Sequence, residues 1–226
     1  MDTYSIRYQR QSDVIDTKGL KETSVAIIGA GSLGSFAALG LAKMGVGNIG
    51  CWDHDIIDEV NLSNQFYPNN SVGSHKVMRL GNIIQEYTEC GFNPHVEAFN
   101  VYTQVQSSIL IVLPDNMITR KTAYEMFLEK DRIRTFIDVR AGLEILQMYT
   151  LRDKSEDTQK FYQETLFTDD NAEQAPCTEQ TIVYNVMIAA GLVGRAVKAS
   201  ITEQEFPREI ILSLSRLDET SLMLRR

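Results

Sequence analysis

The ten residues VAIIGAGSLG, positions 25–34, decide the fold. Val25–Ile28 is a short apolar run closed by Gly29, the pattern of a buried strand, and a helical pattern opens at Leu33. Between them Gly29, Gly31 and Gly34 keep the G-x-G-x-x-G spacing in the strand–turn–helix setting that gives the spacing meaning. Such glycines permit a tight turn and let backbone N–H groups at a helix N-terminus come close to phosphate. Asp53 lies 19 residues beyond Gly34, at the end of the next apolar run, where a carboxylate can hold ribose hydroxyls. Together these features predict a nucleotide site and leave NAD and ATP both open.

Working outward, strands and helices alternate. Leu33–Met44 reads as a helix ended by Gly45, and Asn48–Asp53 as a second strand. Val72 to about Glu89 is amphipathic, with Val77, Leu80, Ile83 and Ile84 on one face. His95–Phe99 and Ser108–Leu113 read as further strands, Asn116–Glu129 as a helix and Arg134–Asp138 as a fifth strand. This alternation predicts an α/β, Rossmann-like fold with a mostly parallel sheet and helices on both faces. After Glu144 the period changes: Glu144–Leu151 alternates like an antiparallel strand. Residues 153–176 carry seven acids and two lysines and read as an exposed crossover loop. Thr178–Ala199 reads as a helix rich in small residues, and Arg208–Ser215 as a last, antiparallel strand. No linker interrupts the chain, so residues 1–226 are expected to form a single domain.

Composition narrows the function. With 22 Lys+Arg against 30 Asp+Glu, the chain carries a net charge of −8, which argues against a broad nucleic-acid surface. No apolar run approaches the roughly 20 residues of a membrane span. The polar N-terminus lacks the apolar core of a signal peptide. Three cysteines, Cys51, Cys90 and Cys177, suggest a reducing compartment rather than a disulfide framework. A cytoplasmic protein that avoids membranes is expected.

Polar groups accumulate where a dehydrogenase would carry only packing. Asp53, His54 and Asp55 come at the end of the second strand, Asn61, Gln65 and then Lys76 after a Val-Gly turn follow, and Asp115-Asn116 sits where the fourth strand ends, with Arg120 one turn into the next helix. Singly, Lys76 or Arg120 reads as a solvated helix charge. As a set they suit a polyphosphate with Mg²⁺, and a nicotinamide needs no metal there. Cys51 and Cys90 read as packing residues, Trp52 as core, and the three histidines show no metal-ligand spacing.

The ordered series Arg7-Tyr8-x-Arg10-Gln11, GAGSLG, Asp53-x-Asp55, Asn61-Leu62-x-x-Gln65, Val72-Gly73-x-x-Lys76 and Asp115-Asn116-x-x-x-Arg120 resembles the E1-like ThiF/MoeB/HesA superfamily. The resemblance runs from Arg7 to about Lys198. It implies adenylation of a carboxylate, usually the C-terminal glycine of a small ubiquitin-like or sulfur-carrier protein, with ATP consumed and pyrophosphate released. It further implies that Gly29, Gly31 and Gly34 form the nucleotide loop, Asp53 binds ribose and Asn61 helps position phosphate, with Asp55, Gln65 and Asn116 beside the nucleotide. Lys76 would contact the phosphates, Asp115 would hold Mg²⁺, and Arg10 would act across a homodimer. Cys177, in Pro176-Cys177-Thr178-Glu179, matches a cysteine that can take the acyl group.

Two departures stand out. Asn64 occupies the place of the arginine usual before that glutamine, so one phosphate-binding cation is missing, with Arg79 and Arg140 as candidate substitutes. The chain has no C-x-x-C, so no structural zinc is expected. Alternative acceptors within the superfamily are a ribosomally made peptide or a tRNA base. Asn64 also admits an inactive nucleotide-binding scaffold, and an NAD-dependent oxidoreductase is a remote alternative that leaves Arg10, Lys76 and Asp115 unexplained.

Overall fold

The first apolar run forms β1, Ser24–Ile28, which pairs with a parallel strand on each side and is buried because helices cover both faces of the sheet. The computed structural model describes residues 3–167, 181–215, 218 and 220–225. β2 (Asn48–Trp52), β3 (Gly91–His95), β4 (Ile109–Val112) and β5 (Thr135–Gly142) pair in parallel with β1 or with one another. β6 (Ile145–Leu151), β7 (Glu209–Ser213) and β8 (Leu222–Arg225) extend the sheet antiparallel, giving the order β3-β2-β1-β4-β5-β6-β7-β8. The chain leaves β1 toward β2 on one side and returns to β4 on the other. That reversal opens a crevice beyond the carboxyl ends of β1 and β4, where open α/β sheets bind ligands.

The helices are α1 (Thr3–Arg7), α2 (Thr17–Glu22), α3 (Ser32–Met44), α4 (Lys76–Tyr87), α5 (Met117–Glu129), α6 (Glu156–Gln163) and α7 (Val183–Ile201). One core packs α3, α4 and α7 on one sheet face through Leu41, Leu80, Ile84 and Val193. The other holds Phe127, Phe136, Leu151 and Tyr162 beneath α5 and α6. α3 stops at Gly45, whose φ of +105° closes the Ala42 and Leu41 carbonyls with its own N–H and that of Val46. Among the described residues, no helix is long and apolar enough to cross a membrane.

Several elements differ from the reading of the sequence. The third strand is Gly91–His95, not His95–Phe99; Pro94 is tolerated because β3 is the sheet edge and its missing N–H leaves no partner stranded. α4 begins at Lys76 rather than Val72, because residues 55–57 pair back to Gly73–Lys76 through Gly73 N to Ile57 O and Lys76 N to Asp55 O, at 2.9 and 3.0 Å. The acidic crossover is not all loop: Ser155 caps α6 by accepting from Thr158 N at 3.3 Å, acids favour its first turn, and Thr158 and Tyr162 are buried. The last strand predicted, Arg208–Ser215, is followed by β8 at the sheet edge.

Candidate functional site

A cleft of about 330 Å³ occupies the crevice, within the range of small-molecule sites. Its floor is the glycine turn. Gly29 has a φ of +94° and sits so close to Leu113 that a Cβ would meet its carbonyl at 2.8 Å. Gly34 lets α3 pack on Gly29, since a Cβ there would lie 1.9 Å from the Gly29 carbonyl oxygen. Gly31 differs: a Cβ would meet only Gln65 Nε2, at 4.0 Å, and would project into the cleft. The missing side chain leaves room for a ligand against the N-terminus of α3.

Two side chains pin this turn. Asp53, at the end of β2, accepts from Ala30 N at 2.7 Å and from Asp55 N at 2.8 Å. The Tyr67 hydroxyl donates to the Ala30 carbonyl at 2.6 Å and lies within 3.3 Å of the Lys76 carbonyl. Tyr67 is buried, and burial above all pushes its phenol well above its ordinary pKa, so it stays a donor. The sequence reading passed over Tyr67; its aromatic position two residues after Gln65 gives no signal apart from the fold.

Lys76, nearly buried at the start of α4, points its ammonium at Asp55 Oδ2, 2.7 Å away. Gln65 reaches the same floor, and its buried Oε1 has no hydrogen-bond partner among the described residues. Across the cleft, Asn116 caps α5 by accepting from Thr119 N at 2.8 Å while its Nδ2 donates to Asp115 Oδ1 at 3.2 Å. Asp115 itself is exposed on the rim. Trp52 also lines the cleft and stacks on His95 with ring centroids 4.2 Å apart. Glu97, Ala98 and Phe99 form the adjoining wall in irregular backbone where a strand was expected.

The cleft therefore gathers Gly29, Gly31, Asp53, Asp55, Gln65, Lys76, Asp115 and Asn116, with Gly34 just behind. It does not gather Asn61, whose Oδ1 accepts from Asp58 N at 2.9 Å in a capping turn outside the lining. Arg10 lies exposed in the 3-10 turn Gln9–Gln11, away from the cleft. Cys177 falls outside the described residues. Asn64 lines the cleft and donates to the Thr181 carbonyl at 3.3 Å, so the position of the usual arginine ties the cleft to the start of α7 instead. Neither candidate substitute reaches the cleft. Arg79 donates to Ser71 at 3.0 Å and to Asn70 at 3.4 Å, and Arg140 is held by Asp138 and Thr165.

Arg120 does line the cleft, yet it is buried and bonded to Asp138, the Val139 carbonyl and the Pro114 carbonyl. Arg120 is thus no solvated helix charge. Arg140, considered in the sequence only as a substitute phosphate cation, instead pairs with Asp138; the two charges on one buried strand were the overlooked signal of this cluster.

Charge decides what the cleft can hold. Four carboxylates line it, those of Asp53, Asp55, Glu97 and Asp115, against Lys76 and Arg120, both already ion-paired. A triphosphate would meet a net negative lining, so added positive charge would strengthen its binding. Hard oxygen donors at the rim suit Mg²⁺. Among the described residues, Asp53, His54 and Asp55 bring one ligand atom each within 4.8 Å of the others, a group that does not include Asp115.

Comparison with known proteins accords with this geometry. The family model described as ThiF family matches residues 8–206. The chain is 34% identical over 123 residues to a probable molybdopterin-synthase adenylyltransferase of Porphyra purpurea, across 52% of this chain and 32% of that protein. It is 33% identical over 129 residues to the adenylyltransferase and sulfurtransferase MOCS3 of Culex quinquefasciatus, across 54% of this chain and 27% of that one. The match thus spans about a third or less of these curated relatives. Among solved structures, E. coli MccB with AMPCPP and MccA superposes with a TM-score of 0.78 at 17% identity, over 97% of this chain and 71% of that chain. At that identity the likeness is one of fold.

Proposed function

This chain belongs to the ThiF family, and from that premise we propose that it activates a carboxylate by adenylation with ATP. The acyl carboxylate oxygen attacks the α-phosphorus, the bond from that phosphorus to the α,β-bridging oxygen breaks, and pyrophosphate leaves with the electron pair. An acyl adenylate remains. One observation carries this reading: the glycine turn, Asp53, Lys76 and Asp115, far apart in sequence, meet around one cleft at the sheet's reversal point.

Each residue has a part. The N–H groups of the turn and α3 receive phosphate oxygens, and the open space at Gly31 admits them. Asp53 already accepts one N–H on each oxygen, so ribose hydroxyls donate to its remaining lone pairs. Lys76 exchanges Asp55 for the phosphates and offsets charge growing in the transition state. Asp115 is the carboxylate for Mg²⁺, which when bound neutralises charge on the leaving pyrophosphate. Arg10, remote from its own cleft, serves the cleft of a second copy in a homodimer.

The acceptor is a macromolecule, most simply the C-terminus of a small ubiquitin-like or sulfur-carrier protein. Leu143, Ile145, Ile182, Tyr184 and Met187 are exposed by 36–58% and lie together around the start of α7, where Asn185 donates to the Leu143 and Ile145 carbonyls at 3.2 Å. Asn64 links this apolar surface to the cleft, so a protein or a second copy docked on it would face the reacting atoms. A peptide acceptor is the second reading; MccB, which shares the fold at 17% identity, was solved together with MccA.

Calorimetric titration tests the nucleotide assignment. Wild-type protein is expected to bind ATP·Mg²⁺, Lys76→Ala to lose that binding, and NAD to give no heat. Binding of NAD without any response to ATP would overturn the proposal. Asp115→Ala is expected to abolish Mg²⁺-dependent adenylation while leaving the circular dichroism spectrum unchanged.

A further inference from the structure

Behind the cleft wall, Asp138 sits on β5 with no solvent exposure, between two buried arginines. Arg120 Nη1 donates to one carboxylate oxygen and to the Val139 carbonyl, while its Nη2 donates to the Pro114 carbonyl. The other carboxylate oxygen accepts from Arg140 Nε at 2.9 Å and from the Tyr162 hydroxyl at 2.8 Å. Arg140 also holds the Thr165 carbonyl, at 2.8 Å, just beyond α6. One carboxylate thus joins β5, α5, α6 and the turn between β4 and α5.

Three buried charges are a poor way to gain stability, since apolar side chains of similar volume often do as well or better. What such a cluster does supply is direction. The Pro114 carbonyl belongs to the peptide plane that leads into Asp115, so a guanidinium fixed on that oxygen sets the orientation in which Asp115 leaves the strand. Asp138 in turn fixes the guanidinium, and of the three charged residues Arg120 alone also lines the cleft. On the far side of the turn Asn116 is tied down as the cap of α5. We propose that Arg120 and Asp138 are positioning residues for the Asp115 carboxylate, acting through the Pro114 carbonyl to hold it where a nucleotide-bound divalent cation is received. The proposal rests on the adenylation reading. It also gives the Asp138-x-Arg140 pair a function beyond packing: Asp138 orients Arg120, and Arg140 balances Asp138.

The experiment measures ATP affinity by calorimetry with and without Mg²⁺, on the whole chain and on Asp138→Asn and Arg120→Lys. Asparagine keeps the shape and removes the charge; lysine keeps the charge and lacks the fork that reaches Asp138 and Pro114 together. Partners that orient a metal ligand are worth roughly 10- to 100-fold in metal affinity, so Mg²⁺-dependent ATP affinity should fall by that much in both variants, with Mg²⁺-free affinity within about twofold of wild type. Thr165→Val, which removes a hydroxyl that accepts from Arg140 Nη2 at 3.2 Å and donates to the Tyr162 carbonyl at 2.7 Å but leaves Arg120 and Pro114 untouched, should leave both unchanged. Variants that keep full Mg²⁺-dependent affinity, or lose both affinities equally, overturn the positioning role. Wild-type protein that binds no ATP under either condition defeats the adenylation reading instead. If Asp138→Asn does not fold, Arg120→Lys decides; failure of both to fold makes the cluster a folding element and overturns the proposal.

Discussion

Adding one methyl group at two places on α3 should give opposite results. At Gly34 a Cβ would sit 1.9 Å from the Gly29 carbonyl oxygen, whereas real Cβ contacts essentially never fall under 3.0 Å, so backbone must move by about the difference of 1.1 Å. No flexible side chain can absorb that displacement, because the obstacle is the turn itself. Overpacking of this kind costs roughly 1–3 kcal/mol. At Gly40, in the same helix, a Cβ meets nothing within 4 Å. There alanine removes glycine's conformational freedom and should stabilise by about 0.5–1 kcal/mol. For a chain of this size 1 kcal/mol moves Tm by roughly 2–4 °C, so Gly34→Ala should melt several degrees lower and Gly40→Ala a few degrees higher. Thermal unfolding followed by circular dichroism reads both. ATP titration adds the functional half: Gly34→Ala should bind weakly, its phosphate turn displaced, and Gly40→Ala should bind as wild type does. Equal melting temperatures and equal ATP affinity for the two variants would refute the packing of α3 on the turn, and with it the account of the cleft floor.

Three further outcomes are expected. Burial alone would raise the pKa of Asp138, but Arg120 and Arg140, with the Tyr162 hydroxyl, hold it below the ordinary carboxylate value. A depressed folded pKa gives stability that is complete above the unfolded value, near 3.9, and is lost as pH falls through the folded value. Acid unfolding should therefore steepen below about pH 4 in wild type and flatten in Asp138→Asn; identical acid limbs would show that Asp138 is not ionised in the fold. Burial pushes the Cys90 thiol up to about 12 and the Cys51 thiol well above its ordinary value, so neither should react with a disulfide reagent at pH 8 in folded Cys177→Ser protein. Rapid labelling of the folded variant would contradict their burial. Finally, mixing Arg10→Ala with Asp115→Ala protein should restore part of the adenylation that each variant lacks alone, by forming one intact cleft per dimer. No recovery would place Arg10 outside the reaction.

The legible part of this protein was what local physics fixes. A strand, a glycine turn and a helix in 25–34 announce the tight turn that floors the cleft, because only glycine fits the φ of +94° at position 29 and the close approach at position 34. The alternation of apolar runs gave the parallel sheet, and the charged residues at strand ends and at a helix start gave Asp53, Asp115 and Lys76. The reading failed where a neighbour overrides local preference. Pro94 belongs in a strand only because β3 is an edge, and the acidic stretch around α6 folds as helix because Tyr162 is drawn into the second core beneath it. Arg120 shows the same limit from the other side. Its spacing from Asp115 is plain in the sequence, but its burial depends on Asp138, 18 residues away, reaching it across a helix–sheet contact. Whether a charge is a solvated surface group, a ligand or a strut for another residue is set by what surrounds it in three dimensions. Sequence alone named Gly29, Asp53, Gln65, Lys76 and Asp115 but neither Tyr67 nor Glu97; only the tertiary structure separated the groups that face the cleft, such as Gln65 and Asn64, from those that serve elsewhere, such as Asn61, Arg79 and Arg140.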